Sequence, residues 1–160
     1  MMFTRVESTC LKESRDKRRT MDVYTKAKRS EIMARIKGSK TSPEKIVASM
    51  LRKLKLKFRS NVKSLLGQPD FVIPLYKTII FVHGCFWHNH RNCKRSKLPT
   101  TNKAFWRRKI LGNKQRDMRI ARLLRKEGWH VITIWQCKLG EQRQIMARLK
   151  RAFYPRRPMK

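Results

Sequence analysis

The sequence has few acidic residues: 10 Asp and Glu stand against 42 Lys and Arg in 160 residues, which gives a formal net charge of +32. So many positive charges repel one another and destabilise a compact chain unless a polyanion is bound. Nucleic acids are common intracellular polyanions. We therefore expect a nucleic-acid partner. Composition alone does not separate a ribosomal protein from a nucleoid protein or a nuclease.

Long hydrophobic runs are also missing. The apolar stretch at residues 79–82 is far shorter than the roughly 20 residues that a membrane helix needs. Charged residues interrupt the first 20 positions, so we predict no secretory signal there. We expect a cytoplasmic, nucleoid-associated protein without a membrane partner. In a reducing compartment, its four cysteines are predicted to serve metal binding, catalysis or burial rather than a disulfide framework.

What the chain does contain is enough apolar material for one core, since 40% of its residues are hydrophobic. Residues 1–20 lack an apolar period, and we interpret them as a basic mobile tail before a single domain at residues 21–160. Hydrophobic patterning predicts helices at residues 30–36, 42–54, 102–127 and 142–153, and strands at 56–60, 70–73, 78–83 and 130–135. This order indicates an α/β fold in which helices flank a mixed sheet.

Some boundaries follow from local signals. Ser42 is predicted to cap the second helix, with Pro43 in its first turn. The pair Gly112-Asn113 is expected to break the long helix, and Gly128 to end it. The strands at 70–73 and 78–83 are expected to form a hairpin.

A single carboxylate stands in a long basic stretch. Between Lys45 and Arg116 the only acidic residue is Asp70, which lies where a turn enters a predicted strand. Asp70 is either a turn-forming residue after Pro69 or a ligand of Mg²⁺, which combines one or two carboxylates with substrate phosphate oxygens. Glu44 has two readings as well, because a carboxylate in a first helical turn complements the helix dipole and can equally take part in catalysis.

Three of the four histidines fall within residues 83–90, close to two cysteines. Thiolates and imidazoles at short spacing favour a closed tetrahedral zinc site, with these four candidate ligands: Cys85, His90, Cys93 and Cys137. Buried inert thiols and surface imidazoles are the alternative. If the zinc site forms, His83 and His88 remain for chemistry, because a neutral imidazole beside a cation orients or deprotonates water.

Aromatic residues adjoin the predicted ligands. We assign Trp129 and Trp135 to the core. Phe86 and Trp87 lie in a segment bounded by candidate ligands, and Trp106 precedes a basic run. Rings that project from a basic surface stack on bases or wedge between them, so these three residues are candidate DNA contacts.

Several motifs occur in order: Gly67-Gln68-Pro69-Asp70-Phe71-Val72, Phe81-Val82-His83-Gly84-Cys85-Phe86-Trp87-His88, Phe105-Trp106, Asn113, Arg116-Asp117, Gly128-Trp129 and Trp135-Gln136-Cys137. Together they resemble the very short patch repair endonucleases over most of the chain. The resemblance implies a restriction-endonuclease-like core, with a mixed central sheet flanked by helices and a structural zinc site. It also implies a Mg²⁺-dependent nick 5′ to the thymine of a thymine-guanine mismatch, the product of 5-methylcytosine deamination.

Site roles follow from the same resemblance. The implied catalytic residues are Asp70, His83, His88 and Glu44, with His88 activating water. Mg²⁺ would be held by Asp70 and the main-chain carbonyl of Val82, and Zn²⁺ by Cys85, His90, Cys93 and Cys137. Phe86, Trp87 and Trp106 would enter the duplex. The expected partner is double-stranded DNA with a T:G mismatch, bound by a monomer.

The chain departs from the family pattern at a few positions. Gln68 replaces the usual Arg, Val82 a frequent Thr, and Gln136 a typical Glu, while two residues instead of one separate His90 from Cys93. Two other functions compete: a nuclease of the phage or homing type on the same core without mismatch preference, and a zinc-stabilised nucleic-acid-binding module.

Overall fold

The computed structural model describes residues 39–154, together with Lys28 and Glu31. The tail predicted at residues 1–20 lies outside this part, as does the helix predicted at 30–36 apart from Glu31. The described helices are α1 (Ser42–Lys53), α2 (Lys103–Lys126) and α3 (Gln142–Phe153), and the strands are β1 (Arg59–Ser60), β2 (Phe71–Ile73), β3 (Thr78–His83) and β4 (His130–Trp135). Short 3₁₀ turns fill several of the connections.

The four strands form one sheet in the order β1-β2-β3-β4. The β1/β2 and β2/β3 pairs are antiparallel, and Phe71 lies opposite Ile80 in the second of them. The β3/β4 pair is parallel, with His83 opposite Trp135 at its end. Because parallel neighbours need a crossover, α2 lies in the connection between β3 and β4. The predicted α/β fold with a mixed sheet flanked by helices is confirmed.

The helices cover the two faces of the sheet. On one face α1 and α3 pack against the strands in the larger core cluster, which includes Val47, Met50, Leu51, Ile80, Ile132, Ile134, Ile145, Leu149 and Phe153. On the other face α2 packs in a second cluster of Val72, Ile79, Leu124 and Val131, joined by partly buried Phe81 and Ile120. Alternation along β3 explains this division, since Ile79 and Phe81 face α2 whereas Ile80 and Val82 face the other helices.

Two boundary predictions need correction. The N-cap of α1 is Thr41 and not Ser42, because Thr41 and Glu44 have the Thr-x-x-Glu spacing of a capping box. The strand predicted at 56–60 is reduced to Arg59–Ser60. Leu56 instead donates its backbone N–H to Leu51 O at the end of α1 and turns its side chain into the core.

The predicted break at Gly112-Asn113 is wrong, since α2 runs through both residues. One glycine costs a helix only about 1 kcal/mol relative to alanine. Burial of Trp106, Ile110 and Leu124 along α2 offsets that cost. The predicted end at Gly128 and the predicted hairpin are confirmed, as are the positions of β4 and α3.

Trp129 and Trp135 are half-buried rather than deep in the core. Trp129 packs against the α2-side cluster. Trp135 stacks on His90, with ring centroids 4.2 Å apart, and meets His83 edge-on at 5.3 Å. In the described part of the chain, no helix has both the length and the apolar character that a bilayer span requires.

Candidate active site and metal centre

Asp70 lies directly before β2, and its carboxylate reaches the end of the neighbouring strand. Asp70 Oδ2 accepts a hydrogen bond of 2.7 Å from the backbone N–H of Val82. The structure therefore brings together the side chain and the main-chain segment that were predicted to hold Mg²⁺. The pKa of Asp70 is raised to about 6, because burial and the negative charge of Glu44 outweigh the opposing Val82 N–H and His88 charge. Ionised Asp70 is thus a carboxylate that a cation would stabilise.

Glu44 is buried at the start of α1, where it serves the capping box. Its Oε2 accepts a hydrogen bond from Lys40 N at 2.8 Å, and its Oε1 accepts one from Thr41 Oγ1 at 2.7 Å. Both oxygens thus accept hydrogen bonds at the helix N-terminus, a capping role that adds to the helix-dipole role considered for this first-turn carboxylate. Glu44 is nonetheless close enough to influence the charge of Asp70, and its catalytic role stays a prediction.

His83 and His88 form a stacked pair at the end of β3. Their ring centroids are 3.9 Å apart and their planes differ by 6°. Burial and the positive charge of His88 together lower the pKa of His83 to about 4, so His83 is a neutral imidazole at neutral pH. This neutral ring packs flat against His88 and limits the orientations that His88 can adopt.

Asp117, on α2, completes this group, although the sequence analysis gave it no role. Its Oδ2 accepts a hydrogen bond from His88 Nδ1–H at 2.5 Å, and its Oδ1 accepts one from Arg116 at 3.3 Å. Burial alone would raise the pKa of Asp117, but the His88 hydrogen bond and the nearby positive charges hold it below the usual value. A carboxylate at Nδ1 fixes the tautomer and leaves His88 Nε2 as the basic nitrogen. The available signal was that Asp117 is the only acidic residue in α2.

The histidine pair and Asp117 line an open cleft of about 1060 Å³ on the α2 side of the sheet. The cations Arg91, Lys114, Arg116 and Arg125 line it as well. Asp70 reaches the same strand end next to Val82, whose side chain faces α1 and α3. The candidate catalytic groups therefore meet around the end of β3, with positive charge beside them.

The four predicted zinc ligands come together in space: Cys85, His90, Cys93 and Cys137. Their ligand atoms all lie within 4.8 Å of one another. His90 Nδ1 is 3.2 Å from Cys137 Sγ and 3.7 Å from Cys85 Sγ. Ligands of one tetrahedral zinc ion lie about 3.5–3.8 Å from each other. The three-thiol, one-imidazole donor set and its compact arrangement therefore fit Zn²⁺.

The cysteines of this cluster differ in acidity, and the backbone accommodates the spacing of the candidate ligands. Burial raises the pKa of the Cys85 thiol to about 11, whereas the backbone N–H of Arg95 lowers the pKa of Cys93. A cation in the cluster would favour the thiolate at Cys85. The two residues between His90 and Cys93 are accommodated because Asn92 adopts a positive φ of 56°. Ser96 Oγ also lies 2.8 Å from His90 O and 2.7 Å from Cys93 O, so its single hydroxyl hydrogen is shared between these two carbonyls.

The candidate DNA-contacting rings pack against one another. The Phe86 ring is 5.1 Å from Trp87 and 5.3 Å from Trp106, measured between centroids. Trp106 is only 7% exposed, so it lies beneath the other rings and does not project as expected. Phe105, which sequence reasoning did not single out, is 50% exposed at the edge of this cluster. Asn113 Nδ2 donates to Trp87 O at 3.0 Å and ties the aromatic loop to α2.

Comparison with known proteins identifies the family. The model of the family described as DNA mismatch endonuclease Vsr matches residues 21–95. The DNA mismatch endonuclease Vsr of Escherichia coli strain K12 is 45% identical over 124 residues, covering 78% of this chain and 79% of its own. This chain belongs to the Vsr family. The predicted family resemblance is thereby confirmed, and the chain is a Vsr-type DNA endonuclease.

Other Vsr relatives carry different names. The type II nicking enzyme V.NmeAIP of Neisseria meningitidis serogroup A is 38% identical over 130 residues, covering 81% of this chain and 92% of its own. Among solved structures, the catalytic domain of the homing endonuclease I-Bth0305I superposes with a TM-score of 0.47 and 21% identity, covering 71% of this chain and 94% of that one.

Proposed function

We propose that this protein nicks one strand of double-stranded DNA on the 5′ side of the thymine in a T:G mismatch. The observation that carries the proposal is the convergence, at the end of β3, of Asp70 with the His83–His88–Asp117 group in a chain of the Vsr family. The sheet would then be the restriction-endonuclease-like core that the resemblance implies. The substrate would be bound by a monomer.

Asp70 and the carbonyl of Val82 would hold Mg²⁺, which when bound supplies positive charge to the oxygens of the scissile phosphate. Oxygen donors of this kind suit a hard cation, and the elevated pKa of Asp70 supports the assignment because the Val82 N–H and the His88 charge do not offset the burial of the ionised form. The cations that line the cleft would bind the flanking phosphates and orient the strand.

His88 would accept the proton of the attacking water at Nε2. Asp117 holds the opposite nitrogen as a hydrogen-bond donor and would stabilise the positive charge that forms on the ring. His83 would keep the ring in place through the flat stacking contact. The base His88 lies in the loop after β3, its orienting carboxylate Asp117 lies in α2, and its packing partner His83 lies in β3. These three residues would act as one unit.

Zn²⁺ held by the three cysteines and His90 would have a structural role. The bound ion would fix both ends of the loop that carries Phe86, Trp87 and His88, since its ligands Cys85 and His90 flank those residues. A fixed loop loses little entropy when its rings enter DNA. The zinc centre would therefore support both mismatch binding and the position of the catalytic histidine.

The preference for a mismatch would come from the lower cost of deforming the duplex at a mismatched base pair. A T:G wobble pair stacks poorly, so a protein that wedges rings into the stack does so at lower cost there than at a matched pair. Phe86 and Trp87 are the half-buried rings available for insertion, and Trp106 supports them from below. This cluster favours a mismatch-reading enzyme over a nuclease of the homing type without that preference.

The test compares two labelled duplexes that differ only in a T:G or a T:A pair. With Mg²⁺ and saturating protein, we expect a single nick next to the mismatched thymine and little cleavage of the matched duplex. Equal cleavage of both duplexes would favour the homing-type function, and binding without cleavage would favour a nucleic-acid-binding module.

A further inference from the structure

A second basic groove lies between α1 and α3. It has a volume of about 400 Å³ and is lined by Met50, Lys53, Gln142, Arg143, Met146, Ala147 and Lys150. Three of these residues are exposed cations and none is acidic. The cations come from both helices, so they border the groove on two sides.

This groove lies on the opposite face of the sheet from the cleft that the histidine pair and Asp117 line. Its floor residue Met50 belongs to the core cluster that joins α1 and α3 to the strands. The catalytic cleft is lined instead by α2, which packs on the other face. A straight duplex bound in the cleft would therefore leave the α1–α3 groove free.

The positive charge of the groove has no compensating partner within residues 39–154. Lys53, Arg143 and Lys150 form no ion pair with any carboxylate of that part of the chain. The nearest acidic residue in sequence, Glu141, pairs with Lys138 at 2.8 Å. Gln142 and Arg143 also form the first turn of α3, whose unpaired backbone N–H groups add positive potential. The described residues of the groove therefore present a net positive charge that would attract an anion.

The shape of the groove favours a phosphate backbone over an acidic helix. Met50 is only 2% exposed and Met146 is half-buried, so the exposed side chains of the groove are the three cations, Gln142 and Ala147. Arg143 and Lys150 are separated by about 10.5 Å along α3. One strand of a duplex carries a phosphate about every 3.4 Å along the helix axis, so that length covers about three such spacings. The small side chain of Ala147 lies between them and leaves space for the strand.

We propose that the α1–α3 groove binds the phosphate backbone of a second duplex while the first occupies the cleft. One molecule would then bridge two DNA segments. The inference rests on the proposed function only in taking duplex DNA as the ligand of the cleft.

The test uses the full-length, zinc-loaded protein without Mg²⁺. A T:G duplex is immobilised and saturated with protein, and capture of a fluorescent matched duplex is measured per bound chain. In the groove variant, Lys53→Gln, Arg143→Gln and Lys150→Gln are combined. The control variant, Lys57→Gln/Lys77→Gln/Lys126→Gln, removes the same charge from exposed positions that line neither cavity.

We expect wild type and the control variant to capture the second duplex to the same extent. The groove variant should capture at least about tenfold less of it per bound chain. Binding and nicking of the first duplex should be unchanged in both variants. Equal capture by the two variants would overturn the inference, because net charge alone would then explain bridging. Displacement of the second duplex by polyglutamate at lower charge concentration than by free duplex would also overturn it, in favour of an acidic protein partner.

Failure of the two proposals is distinguishable in the same assay. If wild type binds the first duplex and nicks it when Mg²⁺ is added, but captures no second duplex, only the inference is wrong. If wild type does not bind the first duplex, the proposed function fails and the inference fails with it.

Discussion

Replacing Asp70 with Asn should stabilise the metal-free protein while removing its nicking activity. Asn keeps the size of Asp and an oxygen that can accept the Val82 N–H, but it lacks the charge that burial and Glu44 disfavour. The gain in stability arises because the variant no longer holds an ionised carboxylate in this position. Nicking should fall by orders of magnitude, because the proposed Mg²⁺ ligand is lost.

The sign and size of the effect follow from the pKa. Folding raises the pKa of Asp70 from 3.8 to about 6, so between these values the folded state keeps a proton that the unfolded state has lost. The free energy of unfolding of wild type therefore falls as pH rises through this window, and levels off above it. Two pKa units correspond to about 3 kcal/mol at most. Because Asp70 is only half-buried, we expect solvent to reduce this to about 1–2 kcal/mol.

Urea denaturation between pH 4.5 and 7.5 in the absence of divalent metal measures the effect. The difference between Asp70→Asn and wild type should increase in favour of the variant up to about pH 6 and stay constant above. Glu127→Gln, at an exposed position after α2, controls for the loss of one carboxylate from a chain of net charge +32. A variant less stable than wild type at pH 7.5, with no change across the window, would refute the reasoning.

Three further substitutions test the other parts of the site. Cys137→Ser should lose bound zinc by elemental analysis and lower Tm by roughly 5–10 °C, while Cys10→Ser should change neither. Trp87→Ala should reduce the ratio of nicking on mismatched to matched duplex roughly tenfold with zinc content intact, since one stacking ring is lost; an unchanged ratio would exclude Trp87 from mismatch reading. Asp117→Asn should lower kcat by about 100-fold with little change in duplex affinity, and a wild-type kcat would show that Asp117 does not orient His88.

The parts of the fold that could be predicted are those coded by short periodic patterns. The apolar pattern of His130–Trp135 and the helical spacing of Ile145, Leu149 and Phe153 gave β4 and α3 at their observed positions. Gly112 misled the prediction, because a glycine signal is local whereas α2 is held by side chains that pack over its whole length. Leu56 misled it as well, because its backbone N–H bonds to the end of α1 instead of a strand.

The site could be predicted where residue type carries the chemistry. Cysteines and histidines at short spacing indicated the cluster that could hold a metal, and a lone carboxylate in a basic stretch indicated Asp70 as a candidate. The pairing of Asp117 with His88 could not be found in this way, because the two residues are 29 apart in sequence and meet only through the packing of α2 on the sheet. The burial of Trp106 has the same cause, since only the folded loop brings Phe86 and Trp87 over it.

The most direct test of the account is single-turnover cleavage of a T:G duplex and of its T:A counterpart by the zinc-loaded protein with Mg²⁺, with the cleavage position mapped on each strand. We expect one nick, 5′ to the mismatched thymine, and at least a tenfold lower rate on the matched duplex. Equal rates on the two duplexes, or no cleavage of either by protein that binds both, would contradict it.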